Sequence, residues 1–331
     1  MLTQFLKALF LLVLLPAAAT SRAEPNPAET MFSKSLVRTM KISPDGEHVA
    51  LTFEEGSEVK LAIMPISGQK VLSAFQFGDN MHVLDFWWGS NERIVMSVGK
   101  VTGNLDNRGR AAELHAANID GTRVTQIFEM VTSRYQVLHP LPDDDRNILI
   151  ARYHFGDRGV PKGNLLDMYD GELDFQGDQP VDPDMSALVA DNNGELRGAI
   201  AFEVGDSLDE NEGRLYFKND EGWQEIDFES KRKNPSIQFL GFSADNNELY
   251  IASNHDMPEN DRMGVYRFDL ATGTVELVYR HDIVDVAGLL RAPSGKVLGA
   301  RATFGPAAYS LFGDQVDALP EDAALLTSLF R

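Results

Sequence analysis

Apolar and polar residues alternate along this chain in short runs that return about every 50 residues. Six such runs, rich in β-branched and aromatic residues, each follow a turn and begin 45 to 54 residues apart: 47–53, 92–98, 146–153, 195–202, 247–253 and 295–301. Runs this short with a period of two are typical of β-strands. The chain is therefore predicted to repeat a strand-rich unit.

Three further runs complete most of these units. A second strand is predicted at 60–66, 113–119, 164–169, 214–218, 265–270 and 309–312. Each of these ends in a turn containing glycine, from Ser67-Gly68 to Phe312-Gly313, and glycine supplies the positive φ that tight hairpins need. Outer strands follow at 70–76, 122–128 and 274–279, and apolar strands precede the units at 37–42, 83–88, 237–242 and 284–290.

Four antiparallel strands in a repeat of 40–50 residues predict a β-propeller, in which each sheet packs face to face on its neighbours. The fold class is thus all-β, with about six four-stranded blades over residues 37–319. The alternative is an incomplete seven-bladed propeller. A helical solenoid is excluded, because the repeats lack a period of 3.6 residues. A C-terminal helix is predicted over 320–331, where Leu325, Leu326, Leu329 and Phe330 form an apolar stripe.

Aspartates recur in the turn that opens each unit. The first and fifth repeats read Ser43-Pro44-Asp45-Gly46 and Ser243-Ala244-Asp245-Asn246. These carboxylates could bind a metal ion, or they could hold the turn through hydrogen bonds. Recurrence favours the structural role, because a binding site is needed once whereas a turn is needed in every blade.

The turn string resembles the propeller repeats of the Tol-system periplasmic protein and of prolyl oligopeptidases. A more specific resemblance rests on three strings: Val83-Leu84-Asp85-Phe86-Trp87-Trp88, Asn91-Glu92-Arg93-Ile94-Val95 and Ile119-Asp120-Gly121-Thr122. Together they are similar to the N-terminal propeller half of exported prolyl-oligopeptidase-family serine peptidases, of the dipeptidyl-aminopeptidase or acylaminoacyl-peptidase type. In that family the propeller screens access to a hydrolase domain with a Ser, Asp, His triad.

The resemblance transfers no catalytic residue to this chain. A Gly-x-Ser-x-Gly nucleophile elbow is missing, because the nearest string, Gly205-Asp206-Ser207-Leu208-Asp209, ends in aspartate and reads as an acidic loop. We therefore expect no catalytic, cofactor-binding or metal-binding residue, no cofactor, and no peptidase activity from this polypeptide alone. The chain would be either a truncated product or a stand-alone module, and a separate chain could supply the hydrolase domain.

The N-terminus predicts export. Lys7 precedes an apolar run of eight residues, Pro16 ends it, and small residues lead to a cleavage site after Ala23, so residues 1–23 read as a signal peptide and 24–36 as a lead-in. That run is too short to span a bilayer. The expected location is the periplasm or the exterior. With no cysteine, the exported chain has no disulfides.

Charge narrows the range of partners. Fifty acidic and 30 basic residues give −20, and loss of Lys7 and Arg22 with the signal would leave −22. Such a surface repels nucleic acid and anionic membranes, and the isolated basic triplet at 231–233 reads as a solvated loop. The remaining partners are peptides or proteins.

Other candidate sites have weaker support. The seven histidines show no metal-binding spacing, although His255-Asp256 and His281-Asp282 could be ligands or an acid–base pair brought together in space. The favoured interpretation is that they are loop or blade-edge histidines. Residues 206–212 gather oxygen donors but lack calcium-loop spacing and read as a hairpin tip. Trp87 and Trp88 could stack on a ligand, but burial between blades is the favoured interpretation.

The functional prediction is therefore a non-catalytic propeller that binds peptides or proteins, in the manner of a peptidase gating domain. Two alternatives stay open at this stage. One is a lactonase-like propeller enzyme with a metal ion in its central channel, since one fold hosts many chemistries. The other is a Tol-type periplasmic scaffold that binds envelope proteins through its rim.

Overall fold

The computed structural model describes the strand-forming part of the chain. It covers residues 37–56, 58–68, 70–101, 113–156, 160–180, 182–203, 212–226, 235–258, 262–292, 295–303 and 307–312. All of them lie in the compact unit Val37–Arg331. The predicted signal peptide with Ala23, the lead-in 24–36, the acidic string 205–209, the basic triplet 231–233 and the helix 320–331 fall outside these residues.

The described residues form six antiparallel sheets, which we number in chain order. Sheet 1 contains β1 Val37–Ile42, β2 His48–Glu55, β3 Glu58–Pro65 and β4 Ser73–Phe75; sheet 2 contains β5 Met81–Trp88, β6 Arg93–Lys100, β7 Glu113–Asn118 and β8 Thr125–Glu129; sheet 3 contains β9 Ser133–His139, β10 Asn147–His154, β11 Pro161–Asp167 and β12 Leu173–Phe175. Sheet 4 contains β13 Met185–Ala190, β14 Leu196–Glu203, β15 Glu212–Asn219 and β16 Gly222–Glu225; sheet 5 contains β17 Ile237–Phe242, β18 Glu248–Ser253, β19 Gly264–Asp269 and β20 Val275–Tyr279; sheet 6 contains β21 Val286–Arg291, β22 Val297–Thr303 and β23 Ala307–Leu311.

The predicted all-β class is confirmed, and the six antiparallel sheets are consistent with a β-propeller. Strand order within each sheet follows the chain, so neighbouring strands of a sheet are also consecutive in sequence. Sheet 6 differs from the predicted four strands, because only three lie in the part of the chain that the structure describes. A fourth strand would follow the glycine turn at Phe312-Gly313. The residues after Phe312 lie outside the part of the chain that the structure describes. Within the described residues, no helix is long and apolar enough to cross a membrane.

Consecutive sheets pack face to face through five apolar clusters. Each cluster joins one sheet to the next, from sheets 1 and 2 through to sheets 5 and 6. Sheet 2 is buried on both faces. Ile94 and Met96 point into the cluster with sheet 1, whereas Val95 points into the cluster with sheet 3. Strand side chains alternate between faces, so a strand buried on both sides is apolar throughout. Each such buried side chain contributes about 1.5–3 kcal/mol.

Basic side chains tie several of these sheet pairs together. Arg93 is 1% exposed and crosses from sheet 2 to sheet 3, where Nε and Nη2 donate to the Met168 carbonyl oxygen at 3.1 and 2.5 Å. Its Nη1 donates to Asn118 Oδ1 at 2.8 Å, and its guanidinium lies 4.0 Å from the ring centre of Tyr169. In sheet 1, Lys41 Nζ donates to Asp85 of sheet 2 at 2.7 Å. Arg93 therefore joins the sheets from the interior, whereas the Lys41–Asp85 ion pair is partly exposed.

The recurring aspartates hold the turns, as predicted. Asp45 accepts hydrogen bonds from Ser43 Oγ at 2.5 Å and from the Glu47 backbone N–H at 3.0 Å. Asp245 repeats the arrangement two hundred residues later, accepting from Ser243 Oγ at 2.6 Å and the Asn247 N–H at 3.2 Å. A hydrogen bond to the charged form lowers the pKa of both carboxyls, with the serine hydroxyl the main cause.

Candidate functional site

An open cavity of about 860 Å³ lies between sheets 4 and 5. In an antiparallel four-stranded sheet the turn between the first two strands and the turn between the last two lie at the same end. The cavity is formed by these turns and the strand ends beside them. It is lined by Glu195, Arg197, Lys218, Asn219, Asp220, Glu221, Asn247, Asp269, Leu270 and Ala271.

Local hydrogen bonds fix the lining turns of sheet 4. The Asp191 carboxylate accepts from the backbone N–H groups of Asn193 at 2.9 Å and Glu195 at 3.0 Å, and Gly194 adopts φ +82°. This turn leaves the Glu195 side chain exposed. In the second turn, Asn219 Oδ1 accepts from the Glu221 N–H at 2.9 Å. Short polar side chains that bind their own backbone make such turns rigid.

Sheet 5 supplies the other wall through the turn after β19. The Asp269 carboxylate accepts from the N–H groups of Ala271 at 3.0 Å and Thr272 at 2.8 Å. These bonds, led by the one from Thr272, lower the pKa of Asp269, so the carboxylate is ionised at neutral pH. The wall therefore carries a fixed negative charge beside buried Leu270.

The two cations of the cavity are neutralised by carboxylates outside it. Arg197 donates from Nε to the Lys218 carbonyl at 3.1 Å and from Nη1 to the Asn246 carbonyl at 3.0 Å, and Nη1 lies 3.6 Å from Asp191 Oδ2. Lys218 forms an ion pair with Asp178. Arg197 thus links sheet 4 to sheet 5 as Arg93 links sheet 2 to sheet 3.

A second cavity of about 280 Å³ shares Asp269 with the first. Its other lining residues are Glu248, Arg267, Thr272, Thr274 and Glu276. Arg267 lies between two carboxylates, 2.7 Å from Glu276 and 3.7 Å from Glu248, and the hydrogen bond that it donates to Glu276 is the main reason its pKa is raised. We call the two cavities together the acidic groove, since six carboxylates and three cations line it.

The exposed rim of the acidic groove carries charge without compensation. Glu195, Asp220 and Glu221 are exposed, and none of them forms an ion pair with another residue of the described ranges. A concave surface of this kind attracts cations, because carboxylates held close together raise the local negative potential. Its lining is mostly polar, unlike the apolar pockets that bind most small organic ligands.

The two His-Asp dipeptides, a weakly supported candidate from the sequence, have the following contacts in the structure. Asp256 pairs with Arg280, whose Nη1 and Nη2 lie 3.0 and 2.6 Å from its two oxygens. Burial opposes ionisation of Asp256, but the hydrogen bonds from Arg280 and Tyr266 outweigh it and hold the pKa at about 2. His281 Nδ1 instead accepts backbone N–H groups from its own loop at 3.1 and 3.2 Å.

Three other histidines also accept hydrogen bonds from backbone N–H groups. The Nδ1 atoms of His82, His139 and His154 accept N–H groups at 3.2, 3.0 and 3.1 Å. Burial lowers the pKa of His82 and His139, which keeps both neutral at pH 7. His115 Nε2 lies 2.6 Å from Glu113.

Two further groups of side chains have the composition of catalytic or metal sites. Ser253 Oγ lies 3.2 Å from His255 Nδ1, yet Ser253 has no exposed surface, so a substrate carbonyl cannot reach it. The donor atoms of Asp45, Glu47 and His48 lie within 4.8 Å of one another. They belong to the turn whose Asp45 carboxylate is already bound by Ser43.

The two tryptophans are packed between sheets, as favoured from the sequence. Trp88 is buried in the cluster between sheets 1 and 2, and its Nε1 donates to the Lys41 carbonyl at 3.1 Å. Trp87 packs against the cluster between sheets 2 and 3. The acidic groove, by contrast, had no sequence motif, because its carboxylates come from turns and strand ends spread along the chain from Glu195 to Glu276.

Comparison with known proteins supports the fold and leaves the activity open. No family model and no curated protein matches the sequence. An oligogalacturonate lyase in complex with manganese is 12% identical over 86% of this chain and 79% of that chain, with a TM-score of 0.53. An acylaminoacyl peptidase from Pyrococcus horikoshii is 13% identical over 86% of this chain and 47% of that chain, with a TM-score of 0.48.

TolB from Acinetobacter baumannii is 11% identical over 81% of this chain, with a TM-score of 0.40. This chain covers 66% of TolB and less than half of the peptidase. Likeness at these identities concerns the fold alone.

Proposed function

We propose that this chain is a non-catalytic propeller that binds peptide or protein segments bearing lysine or arginine through the acidic groove. The observation that carries the proposal is the uncompensated rim of the groove, formed by Glu195, Asp220 and Glu221. The cations beside it are neutralised by Asp191 and Asp178, so the rim charges are available to a ligand. The groove is open, which suits an extended segment.

The overall charge strengthens this choice of ligand. A net charge of −20 repels acidic partners and speeds the approach of basic ones. A Tol-type scaffold that holds a basic segment of another envelope protein would use the groove in the same way. We place this binding in the periplasm or outside the cell, because residues 1–23 have the pattern of a secretory signal.

Fluorescence anisotropy with labelled nonapeptides tests the proposal. The probe alternates lysine and glycine, and its counterpart alternates glutamate and glycine. We expect only the lysine peptide to bind, and the affinity to fall between 50 and 300 mM NaCl because salt screens exposed charges. Glu195→Gln and Glu221→Gln should each weaken binding about two- to fivefold, as expected for rim charges.

Glu47→Gln is the matched control. Glu47 follows the glycine in the first turn of sheet 1, as Glu195 does in sheet 4, but it lies outside the groove. Its substitution should leave the affinity unchanged. Equal losses from Glu47→Gln and Glu195→Gln would show that binding follows net charge alone, and binding of the glutamate peptide would overturn the proposal.

A further inference from the structure

Arg134 lies at the end of sheet 3 where β9 begins and β10 ends. Its side chain is exposed, and within the described part of the chain it forms no ion pair and donates no hydrogen bond. Arg93, Arg197 and Arg280, by contrast, each donate to carbonyl or carboxylate oxygens. The N–H groups of the Arg134 guanidinium are therefore available to a ligand.

The ring of Tyr153 holds this guanidinium in place. Arg134 and Tyr153 are directly opposite in the β9–β10 ladder, and the guanidinium lies 4.0 Å from the ring centre. Tyr153 is 3% exposed, and its hydroxyl donates to Gln136 Oε1 at 3.0 Å, so the ring itself is held by its neighbours. A guanidinium stacked on a fixed ring loses less freedom when its planar set of N–H groups binds a ligand.

An exposed aromatic side chain lies next to this cation. The Phe155 N–H donates to the Thr132 carbonyl at 2.9 Å, which continues the β9–β10 ladder past His154. Alternation therefore places Phe155 on the same face of sheet 3 as Tyr153 and Arg134. Phe155 is 57% exposed. The end of sheet 3 thus combines an unpaired guanidinium with an uncovered apolar ring.

The acidic residues of the facing sheet are bound to another arginine. Arg214 lies on the face of sheet 4 that meets sheet 3, because Tyr216, two residues further on, packs against the cluster of these sheets. Its guanidinium lies 3.1, 3.1 and 3.0 Å from Asp182, Asp184 and Glu203. These three carboxylates therefore neutralise Arg214 and form no ion pair with Arg134.

We propose that Arg134 and Phe155 bind the terminal carboxylate of a peptide that ends in an apolar or aromatic residue. The planar guanidinium of an arginine matches a carboxylate with two parallel hydrogen bonds. Phe155 supplies the apolar surface for the side chain of the same ligand residue. A C-terminal residue fits both groups, because it carries its charge and its side chain on neighbouring atoms.

The overall charge restricts the ligand further. A chain with a net charge of −20 repels segments with many acidic groups, so the ligand has one carboxylate and is otherwise neutral. This site uses sheet 3 alone, whereas the acidic groove is lined by residues of sheets 4 and 5. Binding at the two sites is therefore independent, and their ligands have opposite charge.

Fluorine NMR of a synthetic peptide tests the proposal on the full chain. The probe is an N-acetylated hexapeptide of glycine and serine that ends in para-fluorophenylalanine, with either a free carboxylate or an amide at its C-terminus. We expect the free acid to bind about two- to fivefold more tightly than the amide, as for an exposed ion pair. Equal affinities of the two peptides, or no binding of either, overturn the proposal.

Three variants assign the preference to individual side chains. Arg134→Gln should make the affinities for acid and amide equal, and its melting temperature should change little because Arg134 donates no hydrogen bond. Phe155→Ser should weaken both peptides by a similar factor and keep the preference for the acid. Arg301→Gln removes the same charge from an exposed arginine of sheet 6 and should leave both affinities unchanged.

The remaining outcomes reject the assignment. A preference for the acid that persists in Arg134→Gln places the ligand elsewhere, and equal losses in Arg134→Gln and Arg301→Gln show that only net charge matters. An amidated peptide with one internal glutamate that binds as tightly as the free acid rejects the chain terminus as the ligand. A loss of binding in Glu195→Gln would assign the peptide to the acidic groove instead.

Discussion

At the scale of single residues, several described side chains that could act as acids, bases or metal ligands instead form hydrogen bonds and ion pairs that stabilise the fold. Arg280 illustrates the pattern, since it is bidentate to Asp256 and also donates to Tyr266 Oη at 2.8 Å. Asp256 is conspicuous in the sequence because it follows His255, yet its partner lies 24 residues further on. A neighbour in sequence was therefore a poor guide to a neighbour in space.

The ion pair makes a pH-dependent prediction. The folded state holds the pKa of Asp256 at about 2, below its unfolded value near 4. Its contribution to stability is therefore fully present above pH 4 and disappears as pH falls through 2. Asp256→Asn should lower the melting temperature by about 2–4 °C at pH 7, and the difference should shrink from pH 4 towards pH 2 in thermal unfolding followed by circular dichroism.

Asp282→Asn is the control for this measurement, since Asp282 is exposed and belongs to the other His-Asp dipeptide. It should change the melting temperature little at either pH. A constant difference between Asp256→Asn and the native chain across the whole pH range would contradict the assigned ion pair.

At the scale of elements, equivalent turns differ in what surrounds them. Gly171 and Gly273 occupy the same hairpin turn in sheets 3 and 5, with φ +77° and +70°. A Cβ at Gly171 would lie 2.6 Å from the Ile127 carbonyl oxygen of sheet 2, whereas one at Gly273 would meet nothing within 4 Å. The first turn is pressed against a neighbouring sheet and the second faces open space.

This contrast predicts unequal effects of the same substitution. Gly273→Ala should cost about 1 kcal/mol, the usual penalty for a left-handed alanine. Gly171→Ala adds a clash with backbone that cannot turn away, so we expect a loss of about 3 kcal/mol or more. Urea denaturation of both variants measures the difference, and equal midpoints would show that sheets 2 and 3 do not pack as described.

At the scale of the whole molecule, the interiors of the sheets form the packing clusters, and turns of two sheets form the acidic groove that we propose as the binding surface. Five apolar clusters join consecutive sheets, while the acidic groove lies where turns of two sheets meet. A rigid scaffold that presents variable turns is a common basis for binding. The proposed peptide-binding role follows from this division.

The same division predicts that the purified chain does not hydrolyse peptides. No Gly-x-Ser-x-Gly elbow occurs in the sequence, and the buried Ser253–His255 pair has no path for a substrate. Release of p-nitroaniline from alanyl and lysyl anilides should stay at background, and Ser253→Ala should leave it there. Turnover that a fluorophosphonate abolishes would contradict a non-catalytic role.

The sequence by itself determined the all-β class, the period, and the bounds of most strands, because alternation and glycine turns are local signals. The predicted strands 37–42 and 237–242 match β1 and β17, and the Asp45 and Asp245 turns hold as expected. The first strands of sheets 3 and 4, β9 and β13, escaped prediction, because half-buried inner strands such as Ser133–His139 mix polar and apolar residues.

Only the tertiary structure decided which charges remain available to a ligand. Glu195 and Glu47 occupy the same place in equivalent turns, and nothing local distinguishes them. Glu195 lines a cavity because sheet 5 stands beside its turn, and the nearby cations are neutralised by Asp191 and Asp178. Electrostatic potential depends on distances through space, which a sequence pattern with a period of two does not encode.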